Sequence, residues 1–287
     1  VCSSDLSHRT NLKASLGSYT QFLFTTNQNS DVIRIVDFYS AVPDYQKPER
    51  ARHFILGMDH ALTPTSRVSL EAYYKPYSNI LLTNPLQRVS EHNDDFISGT
   101  GQVYGLDAMI KKERGLLTGW LAYSYTHSVR QVDLDGDGVI SRSNGEIFRS
   151  RYDIRHSLHM SLQYQLNRNQ TVGLTWNWSS GLPYTPVIGK RYGSEGSSGW
   201  YQPYSQTSEI TKAVNSGNLP AYLRGDLSFQ QKFRFPGGTG ALNIQVINFT
   251  NHFNVLLFKW DHSQSTSKVD AVSMFPIIPT LGITINV

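Results

Sequence analysis

Apolar and polar residues alternate along the middle of the chain, on both sides of a short polar segment at 167–170. The first run places on one face Leu158, Met160, Leu162, Tyr164 and Leu166. The second run does the same with Val172, Leu174, Trp176 and Trp178. Because successive side chains of a strand point to opposite faces, the pattern predicts a β-hairpin with one apolar and one polar face. Each run has about nine or ten residues, the length that a tilted strand needs to cross a bilayer.

About ten segments of the chain carry this kind of alternation. The predicted strands are 12–25, 52–62, 67–81, 103–112, 117–128, 157–166, 171–179, 221–235, 241–258 and 279–287. Short turns and long loops alternate between them, and the longest loop covers 186–220. Tight periplasmic turns and long extracellular loops are typical of outer-membrane barrels. The pattern therefore predicts an all-β, antiparallel transmembrane β-barrel in the outer membrane of a Gram-negative bacterium.

Composition narrows this picture only slightly. The chain is 39% hydrophobic with a mean hydropathy of −0.35, as expected when half of each strand faces water. No run of 18 apolar residues is present, which excludes transmembrane helices. The 16 Tyr, 13 Phe and 5 Trp suit aromatic belts at two membrane interfaces, although a β-sandwich core would also use them. The net charge of +4 comes from scattered Lys and Arg, so no nucleic-acid partner is predicted.

The first six residues do not resemble a natural N-terminus. They include Cys2, the single cysteine, and they resemble the in-frame translation of a short-read sequencing adapter. We interpret 1–6 as a foreign segment and 7–287 as the native part, with a natural start as the alternative. On this interpretation the reading frame is truncated, and an intact gene is expected to continue upstream with further strands, a plug and a signal peptide.

Several short motifs occur in an order that resembles one family. They are 48–51, 71–75, 104–107, 119–125, 151–156, 181–186, 246–251 and the closing segment 275–287. Together they resemble the barrel of TonB-dependent outer-membrane receptors, over nearly all of the chain after residue 10. One departure is the last residue, Val287, where the family usually has an aromatic side chain that is thought to guide barrel assembly.

The resemblance implies a barrel of about 22 strands around an N-terminal plug. This chain would supply roughly the last ten strands, without the plug and without the segment that meets the inner-membrane TonB complex. It also implies contact with outer-membrane lipid and energised import of a bulky nutrient such as a siderophore, cobalamin or a glycan. It implies no catalytic residue and no required cofactor.

Aromatic residues of the longest loop are candidates for contact with such a nutrient. They are Trp200, Tyr201 and Tyr204, whose ring faces could stack on sugars or flat chelates. The alternative is that these side chains only pack the loop or cap the rim of the barrel.

A second long loop contains the most specific chemical motif of the chain. Carboxylates at every second residue and a glycine at the sixth position match the start of an EF-hand calcium loop. The candidate ligands are Asp133, Asp135, Asp137, Val139, Asn144 and Glu146. Asn144 stands at position twelve, where a bidentate Glu is expected, and Glu146 would have to substitute. A structural Ca²⁺ is therefore predicted, against the alternative that Asp and Gly here only favour turns.

Two other functional classes remain open at this stage. Ten strands also make a complete small barrel, and His156 beside Asp153 and Arg155, or His127, could be offered as catalytic groups of an outer-membrane enzyme. No nucleophile elbow or zinc signature supports that reading. A soluble carbohydrate-binding or adhesive β-sandwich is the other alternative, and it predicts short loops at both ends.

Overall fold

A computed structural model describes residues 2–25, 39–83, 96–132, 147–192, 207–261 and 268–286. Within these ranges the regular structure is entirely β. The strands are β1 (Cys2–Ser7), β2 (Thr10–Gln21), β3 (Leu23–Thr25), β4 (Tyr39–Ala41), β5 (Glu49–Thr63), β6 (Ser66–Thr83), β7 (Phe96–Lys112), β8 (Leu117–Val132), β9 (Ile147–Arg149), β10 (His156–Asn167), β11 (Gln170–Ser179), β12 (Pro183–Tyr184), β13 (Val187–Tyr192), β14 (Thr207–Thr211), β15 (Gly217–Asn218), β16 (Tyr222–Phe235), β17 (Gly238–Ile247), β18 (Val255–Asp261), β19 (Lys268–Ser273) and β20 (Ile278–Asn286). These ranges contain no helix that is long and apolar enough to span a membrane.

One antiparallel sheet holds the long strands. Its order is β1-β2-β5-β6-β7-β8-β10-β11-β16-β17-β20, and β9 pairs with β8. Each long strand therefore lies beside the next long strand of the chain, in an up-and-down meander. The remaining short strands form two-stranded ribbons, β3-β4, β12-β15, β13-β14 and β18-β19.

The two ends of this sheet differ, as the sequence predicted. At one end, the turn end, neighbouring strands are joined by tight connections such as Pro64-Thr65, Arg168-Asn169 and Pro236-Gly237. Gly237 has φ 96°, a left-handed conformation that glycine adopts without steric cost. In another of these turns a hydrogen bond from Lys111 to Glu113 holds the pKa of that carboxyl below its usual value. The opposite end, the loop end, carries every long connection and all four ribbons.

The hairpin predicted from the central alternation is confirmed. β10 and β11 pair around Arg168-Asn169 with Leu158 opposite Trp178 and Met160 opposite Trp176. On the other face His159 Nδ1 lies 2.8 Å from the side-chain oxygen of Asn177. The register therefore brings the apolar set together on one face and the polar set together on the other, because side chains alternate along each strand.

The same two faces continue along the long strands from β2 to β20. Large apolar side chains of the apolar face are well exposed, for example Leu56 at 67% and Leu281 at 70%. A connected buried core appears instead at the loop end, where the side chains of Ile80, Leu82, Val132 and Phe148 pack together. Apolar surface of this extent on one face requires an apolar covering.

Two sequence predictions for strand boundaries were wrong. The run 241–258 was predicted as one strand, but β17 ends at Ile247 and β18 begins at Val255. Asn248 and Asn251 between them have φ 53° and 50°, left-handed values that a continuous strand cannot contain. The predicted strand 12–25 is likewise interrupted at Phe22, after β2.

Other strands begin earlier or end later than their alternation indicated. Toward the loop end, β6 extends two residues, β8 four and β7 seven further than predicted. Residues 2–7, which the sequence assigned largely to a foreign segment, form β1 and pair with β2. The domain boundary at residue 7 stays a prediction.

Candidate functional site at the loop end of the sheet

Both sets of site residues predicted from the sequence belong to connections at the loop end. The calcium candidates within 133–146 come between β8 and β9, and Trp200, Tyr201 and Tyr204 come between β13 and β14. These two segments lie outside the described residues. The structure does describe the strands and turns from which both connections leave.

A buried carboxylate organises the base of the first connection. Asp153 is 0% exposed, and its Oδ1 accepts a hydrogen bond from the backbone N–H of Ser128 at 2.7 Å. Its Oδ2 accepts hydrogen bonds from the Nε atoms of Arg149 and Arg155, both at 2.8 Å. We call these four residues the Asp153 cluster. A carboxylate that is fully removed from water needs such partners, because an unpaired buried charge is strongly destabilising.

Arg149 extends the Asp153 cluster to the longest connection. Its Nη1 donates to the side-chain oxygen of Asn218 in β15 at 2.7 Å. Its carbonyl oxygen accepts a hydrogen bond from the side chain of Asn215 at 2.7 Å. The backbone N–H of Asn215 in turn donates to Thr185 Oγ1 at 3.0 Å. One arginine therefore joins β9 to the ribbons that lead to residues 193–206.

Apolar packing also holds the bases of these two connections together. Ile80 and Leu82 at the end of β6 contact Val132 of β8 and Phe148 of β9. Val214, which follows β14, is partly buried against this group. The bases of both connections thus share one small core, and their relative position does not depend on hydrogen bonds alone.

A second cluster fixes the connection between β17 and β18. Asp226 of β16 accepts hydrogen bonds from the backbone N–H of Asn248 at 2.8 Å and from Arg224 at 2.8 Å. The side-chain nitrogen of Asn248 donates to the carbonyl oxygens of His252 at 3.1 Å and Phe275 at 3.3 Å. We call these residues the Asn248 cluster. It holds both ends of the excursion that carries β18 and β19.

Asn254 closes the same excursion onto β16. Its side chain bonds both backbone groups of Leu223, accepting from the N–H and donating to the carbonyl oxygen, each at 2.8 Å. Its own carbonyl oxygen accepts a hydrogen bond from the N–H of Met274 at 2.7 Å. Asparagine can imitate the backbone in this way because its amide is both donor and acceptor.

The histidines offered as catalytic groups have other contacts. His156 Nδ1 lies 2.8 Å from Tyr123 Oη, while the carboxylate of Asp153 is occupied by the Asp153 cluster. The His127 ring stacks on Tyr104 with the ring centroids 4.7 Å apart. Neither histidine is paired with a carboxylate in the described part of the chain. The described residues also hold no group of three or more His, Cys, Asp or Glu that could bind a metal ion.

The polar face below the loop end is charged and hydrogen-bonded. Tyr73 Oη lies 2.8 Å from Thr126 Oγ1, and Lys75 Nζ lies 4.4 Å from the centroid of the Tyr73 ring. Cationic side chains outnumber carboxylates at the strand positions of this face. The cations are Lys13, Arg67, Lys75, Lys111, Arg130, Arg224, Lys232 and Arg234, and the carboxylates are Glu49, Asp59, Glu71, Asp107 and Asp226.

Comparison with solved structures identifies the architecture. The ferric-catecholate import receptor Fiu from E. coli K12 matches with 13% identity and a TM-score of 0.56, over 98% of this chain and 33% of the receptor chain. The outer-membrane ferripyoverdine receptor of Pseudomonas aeruginosa matches with 13% identity and a TM-score of 0.60, over 98% and 31% of the two chains. The chain has the fold of a TonB-dependent receptor barrel.

The ferric citrate transporter FecA also matches this chain, with 13% identity and a TM-score of 0.58, over 99% of this chain and 37% of FecA. The chain spans about a third of the length of these structures. No protein-family model matches it, and no curated protein sequence does.

The sequence did not predict the roles of the Asp153 and Asn248 clusters, although both lie within motifs that resemble the receptor family. Motif 151–156 contains Asp153 and Arg155, and motif 246–251 contains Asn248. In the sequence, segment 151–156 indicates the family resemblance and a candidate catalytic His156, and segment 246–251 indicates only the resemblance. A signal was available in the polar residues that interrupt or follow an alternating run, since buried Asp and Asn need partners from distant strands.

Proposed function

We propose that this chain is part of the barrel wall of an outer-membrane receptor that imports a bulky nutrient with energy supplied through the TonB complex. The apolar face would contact lipid, and the polar face would line the lumen. The observation that carries the proposal is the single meander with an exposed apolar face, short turns at one end and loops at the other, matched to import receptors over 98% of its length.

We further propose anionic ferric chelates as the first nutrient class to test. Three of the matched structures are named for ferric catecholate, ferripyoverdine and ferric citrate. The excess of cations on the polar face would favour a negatively charged cargo, because a lumen lined by one sign of charge raises the local concentration of the opposite sign. Cobalamin and glycans are the alternatives.

Fractionation and uptake test the two parts of this proposal separately. The full-length receptor is expected in the outer-membrane fraction, with a mobility in SDS gels that changes on heating. Cells that carry it should take up a ⁵⁵Fe-labelled chelate from a panel of catecholate, hydroxamate and citrate complexes, and an uncoupler should abolish uptake. Recovery in the soluble fraction would contradict the barrel role, whereas uptake of only cobalamin or a glycan would contradict the choice of cargo.

A further inference from the structure

Two arginines occupy an unusual place on the apolar face. Every second position of β5 belongs to this face, and these positions hold Arg50, Arg52, Phe54, Leu56 and Met58. Both arginines are exposed. Neither side chain makes a hydrogen bond or ion pair with another residue in the part of the chain that the structure describes.

An aromatic row lies immediately on the turn-end side of these arginines. Phe54 is paired with Tyr74, and the rings stack with centroids 6.3 Å apart. Tyr74 is paired with Tyr104, whose ring stacks on His127. Aromatic rings with polar edges concentrate where hydrocarbon meets headgroups.

The arginines therefore lie on the headgroup side of this row. Arg52 is two residues beyond Phe54 and Arg50 two more, and each such step is about 7 Å along a strand. Because the row lies toward the loop end, these headgroups would belong to the outer leaflet. This placement rests on the proposed function.

The neighbouring strands leave the positive charge uncompensated. Arg50 is paired with Thr20 of β2 and Ser78 of β6, and Arg52 is paired with Ser18. These partners are small and uncharged, so the guanidinium groups are free to reach outward. The apolar-face positions of β2, β6 and β7 carry no carboxylate.

We propose that Arg50 and Arg52 form a binding surface for the phosphate groups of an outer-leaflet glycolipid, such as lipid A. Arginine suits this role because its planar guanidinium can donate two parallel hydrogen bonds to one phosphate. Two arginines on adjacent same-face positions, at the edge of an apolar band, match a lipid whose phosphates adjoin its acyl chains.

The test measures binding of lipid A by the full-length receptor reconstituted in zwitterionic nanodiscs. Diphosphoryl lipid A is titrated into the parent receptor and into the double variant Arg50→Gln, Arg52→Gln. The variant is expected to bind about tenfold more weakly or worse, as expected for the loss of two headgroup contacts. The parent should also bind dephosphorylated lipid A much more weakly, and inorganic phosphate at millimolar concentration should not displace the lipid.

Two controls keep the result interpretable. Lys75→Gln with Lys232→Gln removes the same charge from the polar face and should change lipid affinity less than twofold. Arg50→Lys with Arg52→Lys keeps the charge but loses the paired guanidinium donors, so this variant should bind more weakly than the parent and more tightly than the Gln variant. It keeps the test decisive if the Gln variant folds poorly. Equal affinity of parent and Gln variant, or no preference for the phosphorylated lipid, would overturn the proposal while leaving the barrel role intact. Failure of the parent to insert into nanodiscs would overturn both.

Discussion

In the β10–β11 hairpin the neighbours of a side chain follow from its position along the strand, whereas at the loop end they follow from individual polar groups. The register is regular, so each apolar residue of β10 has an apolar partner in β11: Leu158 pairs with Trp178, Met160 with Trp176 and Leu162 with Leu174. Asp153 instead contacts Ser128 and two arginines across a turn whose sequence has no alternating pattern. The structure of the barrel wall thus follows from the alternation of apolar and polar residues. The structure of the loop end depends on individual hydrogen-bonding and ion-pair partners, each of which has to be present.

The largest expected effect comes from breaking the Asp153 cluster. Asp153→Ala leaves Arg149 and Arg155 without their carboxylate partner and the Ser128 N–H without an acceptor. We expect a loss of about 3–5 kcal/mol in the free energy of unfolding. Urea unfolding of the full-length receptor in lipid vesicles measures this loss. The control is Asp107→Ala on the polar face of β7, which should cost less than about 0.5 kcal/mol. Similar losses in the two variants would mean that the Asp153 cluster does not organise the loop end.

A charge placed on the apolar face tests the opposite region. Trp176→Arg should cost up to about 2–4 kcal/mol, because the guanidinium would lie in hydrocarbon. Thr175→Arg, one residue away on the polar face, should be tolerated much better. Folding into lipid vesicles, followed by the change of mobility on heating, provides the comparison. Equal penalties would contradict the assignment of the two faces.

A smaller loss is expected at Asn248, where the chain leaves the regular sheet. Asn248→Ala removes three side-chain hydrogen bonds and puts alanine at φ 53°, for an expected cost of about 1–3 kcal/mol. Asn248→Gly should recover the part of the loss that comes from the left-handed backbone. Asn243→Ala, which loses one side-chain bond to Gln230, is the control. A glycine variant no better than alanine would show that the backbone conformation contributes little.

These contrasts explain which parts of the fold the sequence could predict. The two faces and the positions of the tight turns follow from local alternation, and they hold along the long strands from β5 to β20. The break after β17 escaped prediction, because Val255, Leu256, Leu257 and Phe258 look like the continuation of a strand. What ends the strand is Asp226 on β16, which accepts the N–H of Asn248 from 22 positions away in the chain. Long-range partners of this kind have no periodic signature.

The smallest effect concerns the predicted calcium ligands within 133–146, which would add an ion to a loop end that is held by ion pairs, hydrogen bonds and a small apolar core. The carboxylates of the Asp153 and Asn248 clusters are already paired with arginine, whereas the predicted ligands Asp133, Asp135, Asp137 and Glu146 would depend on a cation. The lack of Glu at position twelve favours a weak site of about 10⁻⁴–10⁻³ M. At about 1 mM Ca²⁺ such a site would stabilise the folded receptor by about 0.4–1.4 kcal/mol.

Calorimetric titration of the full-length receptor with Ca²⁺ checks this prediction against the double variant Asp135→Ala, Asp137→Ala. Binding is expected in the parent and not in the variant, because the variant lacks two of the three carboxylates that the motif aligns at every second residue. Calcium should also raise the thermal midpoint of the parent only, since the ion neutralises carboxylates that otherwise repel one another. Undiminished binding by the variant, or none by the parent at several millimolar Ca²⁺, would mean that the Asp-Gly repeat serves only as a turn and that the loop end is held together without an ion.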